Sequence, residues 1–90
     1  MAVILVTYDL KKPDHNYTPL YDYLKRFDYC WGIESVWLLD TTLSTEAIRD
    51  GIKAHVDSAE DKIFVVRLQQ DWASRKFKCA GWLNDPGRNW

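Results

Sequence analysis

The stretch AVILVTYDLKKP (residues 2–13) predicts the first strand of a buried sheet and shows where that strand ends. Residues 2–10 are rich in Val, Ile and Tyr, which favour strands, and the Lys-Lys-Pro-Asp sequence that follows is typical of a turn. Asp9 is the unusual residue, because charged side chains are rare in buried strands. Asp9 is therefore the first candidate functional residue.

Two further segments have the residue spacing of amphipathic helices. The first runs from about Thr18, the predicted N-cap, to Phe27, with Pro19 at the first helical position. The second begins after another N-cap, Ser44, and its predicted buried stripe consists of Ile48, Ile52 and Val56.

The remaining segments predict three more strands and a C-terminal extension. Residues 28–41 predict two short strands that meet near Glu34, the second covering residues 35–40, and residues 61–70 contain the last strand. The order βαββαβ predicts an α+β, ferredoxin-like fold, with a four-stranded antiparallel sheet and both helices on one face. We expect a single domain over residues 1–90, with a core of about 2–70 and a tail of about 71–90 that includes a short helix.

Composition limits the possible functions. The chain is 47% hydrophobic, which is enough for one core, and its 12 Lys and Arg against 13 Asp and Glu give a net charge of −1. Any site for an anion must therefore be local. Cys30 and Cys79 match neither a disulfide framework nor a metal-ligand spacing, so we expect reduced cysteines that act as small hydrophobic residues. No signal peptide or membrane span is predicted, which favours a soluble, cytoplasmic protein.

The alternation of side chains along strands divides the apolar residues between two faces. The uncharged sets Ile4-Val6-Tyr8 and Phe64-Val66-Leu68 are predicted to lie under the helices. The opposite face would then carry Val3, Leu5, Trp37, Leu39, Ile63 and Val65. Such an apolar patch is rarely left to water. Either a symmetric homodimer or the C-terminal tail, through Trp72, Phe77 and Trp82, is expected to cover it.

A homodimer would also give Asp9 a role. A two-fold axis near the end of the first strand would bring two Asp9 carboxylates together, and facing carboxylates must share a proton or hold a divalent cation such as Mg²⁺. The alternative is that Asp9 only caps the following turn.

Several other residues are candidates for binding or catalysis. Lys11 and Lys12 could hold phosphates or be merely solvated, and His15 in the same loop could transfer protons. Trp31 and Trp37 could stack on bases or serve burial alone. His55 is predicted to be a half-buried core residue.

Four short motifs resemble those of a known family. They are the strand ending Tyr8-Asp9, the helix after it, Ser35-Val36-Trp37 where the family commonly has Ser-Val-Phe, and the helix start Leu43-Ser44-Thr45-Glu46. Over about residues 2–70 the chain resembles the Cas2 family of CRISPR-adaptation proteins, to which the VapD-type ribonucleases are related.

The resemblance implies a ferredoxin-like homodimer in which Asp9 lies at the subunit interface and, in some members, binds Mg²⁺ for phosphodiester cleavage. Asp9 is thus the predicted catalytic and metal-binding residue, and the predicted substrate-binding residues are Tyr8, Lys11, Lys12, Ser35 and Trp37. The family usually has arginines at the start of the first helix, where this chain has Tyr17-Thr18-Pro19-Leu20.

Two hypotheses follow. One is a homodimer that binds nucleic acid or a nucleotide and acts as a Mg²⁺-dependent endonuclease. The other is a non-catalytic module of a defence, anti-defence or toxin system that binds a ligand or a protein partner.

Overall fold

The computed structural model describes residues 2–12, 16–57 and 59–90. Its elements, in chain order, are β1 (Ala2–Asp9), α1 (Thr18–Leu24), β2 (Asp28–Ile33), β3 (Val36–Thr41), α2 (Thr45–Lys53), β4 (Lys62–Arg67) and α3 (Ala80–Leu83). The four strands form one antiparallel sheet in the order β2-β3-β1-β4. The predicted α+β, ferredoxin-like βαββαβ arrangement is confirmed.

The two main helices differ in how well the sequence predicted their limits. In α2, the Ser44 hydroxyl accepts the Ala47 N–H at 3.1 Å, which confirms the predicted N-cap. In α1, Thr18 is already helical and its N–H donates to Asn16 Oδ1, so the prediction of Thr18 as the cap was wrong. The helix α1 also ends at Leu24, three residues before the predicted end.

Both helices pack on one face of the sheet. The core between the helices and the sheet consists of buried residues: Ile4, Val6, Tyr8, Leu20, Leu24, Trp37, Leu39, Ile48 and Ile52. Burying apolar surface of this kind is the main favourable contribution to folding. The predicted stripe of α2 is therefore confirmed for Ile48 and Ile52, whereas Val56 lies beyond the end of α2 and packs against this core only partly buried.

The facial assignment of β3 and β4 was wrong. Val6 lies opposite Trp37 in β3 and opposite Val65 in β4, and directly paired residues share a face, so both lie under the helices. Phe64, predicted to be buried there, points to the other side and is 61% exposed. The prediction chose the uncharged set of β4 because the alternate set includes Arg67. Arg67 is the last residue of the strand, however, and it stays exposed and donates to the Trp90 carbonyl at 3.2 Å.

The C-terminal tail covers the opposite face of the sheet. Val3 and Leu38 are fully or almost fully buried there by Cys79 and Leu83 of the tail. Partly buried residues complete the cluster: Leu5, Cys30, Leu68, Trp72, Phe77, Trp82 and Trp90. This confirms the fold-back alternative for the tail. A homodimer, which stays a prediction, would need a surface that the tail leaves exposed.

Two contacts that the sequence did not predict fasten the tail. Cys30 of β2 and Cys79 form a disulfide, so the prediction of two reduced cysteines was wrong. Residues 49 positions apart are brought together only when the tail returns to β2. Near the C-terminus, the Arg88 guanidinium lies 2.7 Å from Asp28 and 3.3 Å from Asp40, and it stacks on Trp82 at 3.6 Å.

The helices within the described ranges are short. The longest is the nine-residue α2, and none has the length and hydropathy that crossing a bilayer requires. The cytoplasmic location stays a prediction, and it no longer draws support from unpaired cysteines.

Candidate nucleic-acid interface

Asp9 is an exposed carboxylate at the end of β1. Its side chain is 55% exposed, and its partner is the Lys11 ammonium at 3.0 Å. Across the sheet, Asp9 lies opposite Lys62, the first residue of β4. The structure shows no hydrogen bond from a described backbone N–H to the Asp9 carboxylate, so it does not support the turn-cap alternative. Because exposed ion pairs contribute little stability, a ligand can displace Lys11 from Asp9 at small cost.

Backbone hydrogen bonds fix Lys11 and Lys12, the two lysines that follow β1, while their side chains remain partly exposed. The Lys11 N–H donates to Asp61 Oδ1 at 2.7 Å, and Tyr17 donates its hydroxyl to Asp61 Oδ2 at 2.7 Å. The Lys12 ammonium lies 3.6 Å from Glu60. The segment after β1 is thus fixed to the loop before β4, with both lysine side chains about half exposed.

Tyr8 and Trp37 support the site from inside the core. The Tyr8 hydroxyl donates to the Glu34 carbonyl at 2.8 Å and accepts the Trp37 indole N–H at 3.0 Å. Burial raises the pKa of Tyr8 to about 12. Trp37 is fully buried and stacks on Trp31, with ring centroids 4.2 Å apart. The predicted position of Trp37 on an open face was wrong, and no ring surface is left on which a base could stack.

Ser35 lies in the turn between β2 and β3, next to the end of β1. Its carbonyl accepts the Tyr8 N–H at 3.3 Å. Together with the Tyr8–Glu34 hydrogen bond, this contact holds the turn against β1 and places Ser35 near Asp9.

Two shallow grooves meet at Asp9. One is lined by Thr7, Tyr8, Asp9, Lys62, Ile63 and Phe64. The other, of about 560 Å³, is lined by Tyr8, Asp9, Leu10, Tyr21, Ile33, Glu34 and Ser35. Asp9 and Tyr8 are the residues that both grooves share. Four of the predicted site residues thus surround one end of the sheet: Asp9, Lys11, Lys12 and Ser35.

The remaining candidates have different outcomes. His15 lies outside the described residues. His55 is half-buried, with its ring 5.8 Å from that of Tyr23, as expected for a core residue. Trp31 is half-buried and donates its indole N–H to the Glu34 carbonyl at 2.9 Å. Sequence reasoning missed Lys62, which begins the last strand with a charge opposite to that of Asp9 at the end of the first.

The described residues of one chain bring few metal-ligating side chains to Asp9. Mg²⁺ prefers several oxygen ligands, usually including one or two carboxylates. Within residues 2–12, 16–57 and 59–90, no group of three or more His, Cys, Asp or Glu side chains is placed to hold a metal ion. Asp9 is also flanked by Lys11 and Lys62, whose charges oppose a cation. A Mg²⁺ ion at Asp9 would therefore take its other ligands from water, from a phosphate or from a second copy of the chain.

A comparison with known protein families gives a match that covers all four strands and the Asp9 site. The model of the family described as CRISPR associated protein Cas2 matches residues 1–76, and residues 77–90, which include α3, lie beyond it. Since the match spans most of the chain, this protein belongs to the Cas2 family of CRISPR-associated proteins.

Proposed function

We propose that this Cas2-family chain binds nucleic acid as a homodimer, and that the phosphate backbone contacts the end of the sheet around Asp9. The observation that supports this most directly is the group of exposed cations there. Lys11 and Lys12 have exposed, easily displaced partners, and Lys62 has no ion-pair partner among the described residues. Phosphate contacts by such side chains position a nucleic acid without reading its sequence.

The exposed edge of β4 supports the homodimer. Among the strands that the structure describes, β4 pairs with β1 alone, and its Phe64 is 61% exposed near Lys62. An unpaired edge strand with a large apolar side chain favours pairing with another chain. Two β4 strands related by a two-fold axis run antiparallel, so such a contact would bring the two Asp9 sites together if the axis lies near Lys62, where β4 begins opposite Asp9.

The binding site can be tested with a variant that removes two of the cations. We expect Lys11→Gln/Lys62→Gln to weaken the binding of a fluorescently labelled duplex about tenfold or more, and to lower the slope of log affinity against log salt by about two. Fluorescence anisotropy measures both quantities. The matched control is Lys25→Gln/Lys53→Gln, which removes the same charge from two exposed lysines that line neither groove at Asp9.

The same samples test the dimer. Sedimentation of the wild type as a monomer at tens of micromolar, both alone and with the duplex, would reject the homodimer. Equal affinity of the double variant and the wild type would reject the site at the end of β1, and a wild type that binds neither single- nor double-stranded nucleic acid would reject the function. If the wild type binds a mononucleotide tightly but binds no nucleic-acid strand, its function is restricted to nucleotide binding.

The second candidate function is Mg²⁺-dependent cleavage of nucleic acid. It is favoured by the exposure of the Asp9 carboxylate, which accepts no hydrogen bond from a described backbone N–H. In this candidate, Asp9 from each subunit would hold the ion, which would supply an activated water and offset phosphate charge.

The cleavage candidate predicts two results for Asp9→Asn. Digestion of RNA or DNA in the presence of Mg²⁺ or Mn²⁺ should be lost, and millimolar Mg²⁺ should raise the melting temperature of the wild type but not of the variant, because only the folded wild type would bind the ion. In the melting experiment Lys11→Gln is the control, since it removes the partner of Asp9 but keeps the carboxylate. In the digestion experiment the control is Lys25→Gln, which leaves the residues around Asp9 unchanged. Identical melting of wild type and Asp9→Asn, with no cleavage by either, would leave the non-catalytic function alone.

A further inference from the structure

The segment 75–78 has a high density of unpaired positive charge. Arg75, Lys76 and Lys78 are all exposed, and none has an ion pair or hydrogen bond within the described parts of the chain. Most other lysines and arginines contact a carboxylate, a ring or a carbonyl: Lys11, Lys12, Lys25, Arg26, Arg49, Arg67 and Arg88. In a chain with a net charge of −1, this segment is a local cationic patch, which we name the basic loop.

The basic loop is anchored by the residues that alternate with its charges. Phe77 packs directly on the backbone of Gly32, where an added Cβ would lie 2.5 Å from the ring carbon Cε1. Cys79 is bonded to Cys30 of β2. Because these two side chains point into the protein, the charged neighbours are directed to solvent. A loop fixed in this way loses little conformational entropy when it binds a ligand.

The backbone at Lys76 is itself unusual. Its φ is 57°, and no other non-glycine residue among those described has a positive φ. Glycine or asparagine adopts this conformation more readily than lysine does. The backbone therefore gives no reason for a lysine at position 76, and its charged side chain is the feature that a glycine would lack.

The basic loop lies under the same end of the sheet as Asp9. Phe77 contacts Gly32, near the end of β2, and the following turn is hydrogen-bonded to β1 through Tyr8 and Ser35. In the order β2-β3-β1-β4, the strand β2, on which Phe77 packs, lies two strand spacings from β1, or about 10 Å. One nucleic-acid backbone is long enough to contact both places.

We propose that the basic loop is a second phosphate-contact site, which binds the backbone of the same nucleic acid that contacts the Asp9 end of the sheet. This inference rests on the proposed nucleic-acid-binding function. Contacts of this kind are independent of base sequence and weaken steeply with salt, because each neutralised phosphate releases condensed counterions.

The first test compares two triple variants that remove the same charge. We expect Arg75→Gln/Lys76→Gln/Lys78→Gln to weaken duplex binding about tenfold or more and to lower the salt slope by about two to three. The control, Lys25→Gln/Arg26→Gln/Lys53→Gln, removes three exposed cations elsewhere and should change the slope by less than one. A larger loss of duplex affinity and of salt slope in the loop variant than in the control supports the proposal.

Three results would overturn it while leaving the proposed function intact. One is a loop variant that binds duplex as tightly as the wild type does. Another is an equal loss in both triple variants, which would indicate a general effect of net charge. The third is loss of binding to phosphatidylserine vesicles in the loop variant without loss of duplex affinity. If the wild type binds no nucleic acid, the proposed function itself fails.

The second test uses Lys76→Gly to separate folding from binding. Glycine relieves the positive φ, so we expect the melting temperature to rise by roughly a few degrees. The same change removes one charge, so the salt slope should fall by about one. A more stable variant with unchanged binding would show that Lys76 does not contact phosphate and would contradict the proposal.

Discussion

At the scale of single residues, Tyr8 shows how burial changes a predicted role. Its place beside Asp9 suggested contact with a substrate, but the structure uses both hydrogen-bonding functions of its hydroxyl, toward Glu34 and from Trp37. The sequence identified the neighbourhood correctly because Asp9 ends its strand. Alternation along β1 also predicted correctly that the Tyr8 ring lies under the helices. It could not show that Glu34 and Trp37 would occupy the hydroxyl, since this depends on how the strands pair.

The raised pKa of Tyr8 predicts a loss of stability at alkaline pH. The folded value is about 12 against an ordinary value of 10, so the folded state holds the phenolic proton more tightly than the unfolded state. The stabilisation is complete below pH 10 and should disappear as the pH rises from 10 to 12. The loss should be at most about 2–3 kcal/mol.

Chemical denaturation at several pH values between 9 and 12, with wild type and Tyr8→Phe, measures this loss. The variant should be less stable by about 1–3 kcal/mol at neutral pH, because the Trp37 indole N–H loses its acceptor. It should also lose less stability than the wild type above pH 10. Tyr17, whose pKa is also raised by burial and by Asp61, is present in both proteins and does not affect the comparison. Parallel pH curves for the two proteins would contradict the assignment.

At the scale of helices and strands, the sequence predicted which elements form better than it predicted which way they face. Apolar spacing and the Ser44 cap located α2 correctly, because a helix carries its own hydrogen bonds and its own periodicity. In β3 and β4, either alternate set of side chains could have been the buried one. Pairing with β1 decides between them, as the neighbours Phe64 and Val65 show, and that pairing is a long-range property of the fold.

The contact between α1 and α2 depends on a glycine. Gly51 lies inside α2 where the ring of Tyr23 from α1 packs, so an added Cβ would overlap that ring. Alanine normally stabilises a helix relative to glycine, but here we expect Gly51→Ala to destabilise the protein by about 1–3 kcal/mol, because the ring must move.

Gly81→Ala is the matched control for this prediction. Gly81 lies in α3 with nothing within 4 Å of an added Cβ, so alanine there should be stabilising by about 0.5–1 kcal/mol. Urea denaturation of both variants measures the difference. If Gly51→Ala proves as stable as the wild type, Tyr23 moves aside freely and the packing argument fails.

At the scale of the whole molecule, the tail completes the core that the ferredoxin-like unit leaves open. Without the tail, Val3 and Leu38 would be exposed on the sheet face opposite the helices. The sequence suggested the fold-back through its aromatic residues. It did not reveal the Arg88 contacts with Asp28 and Asp40, because these link positions separated by 60 and 48 residues.

The disulfide between Cys30 and Cys79 is the covalent part of this attachment, and its removal should weaken the whole fold. It closes a loop between residues 49 positions apart, which restricts the unfolded chain, so reduction should lower the free energy of unfolding by about 2–4 kcal/mol. Guanidinium denaturation with and without a phosphine reductant, followed by tryptophan fluorescence, measures the change. The variant Cys30→Ser/Cys79→Ser should match the reduced wild type and be insensitive to the reductant. Equal denaturation midpoints for oxidised and reduced wild type would mean that apolar packing and the Arg88 contacts hold the tail without help from the disulfide.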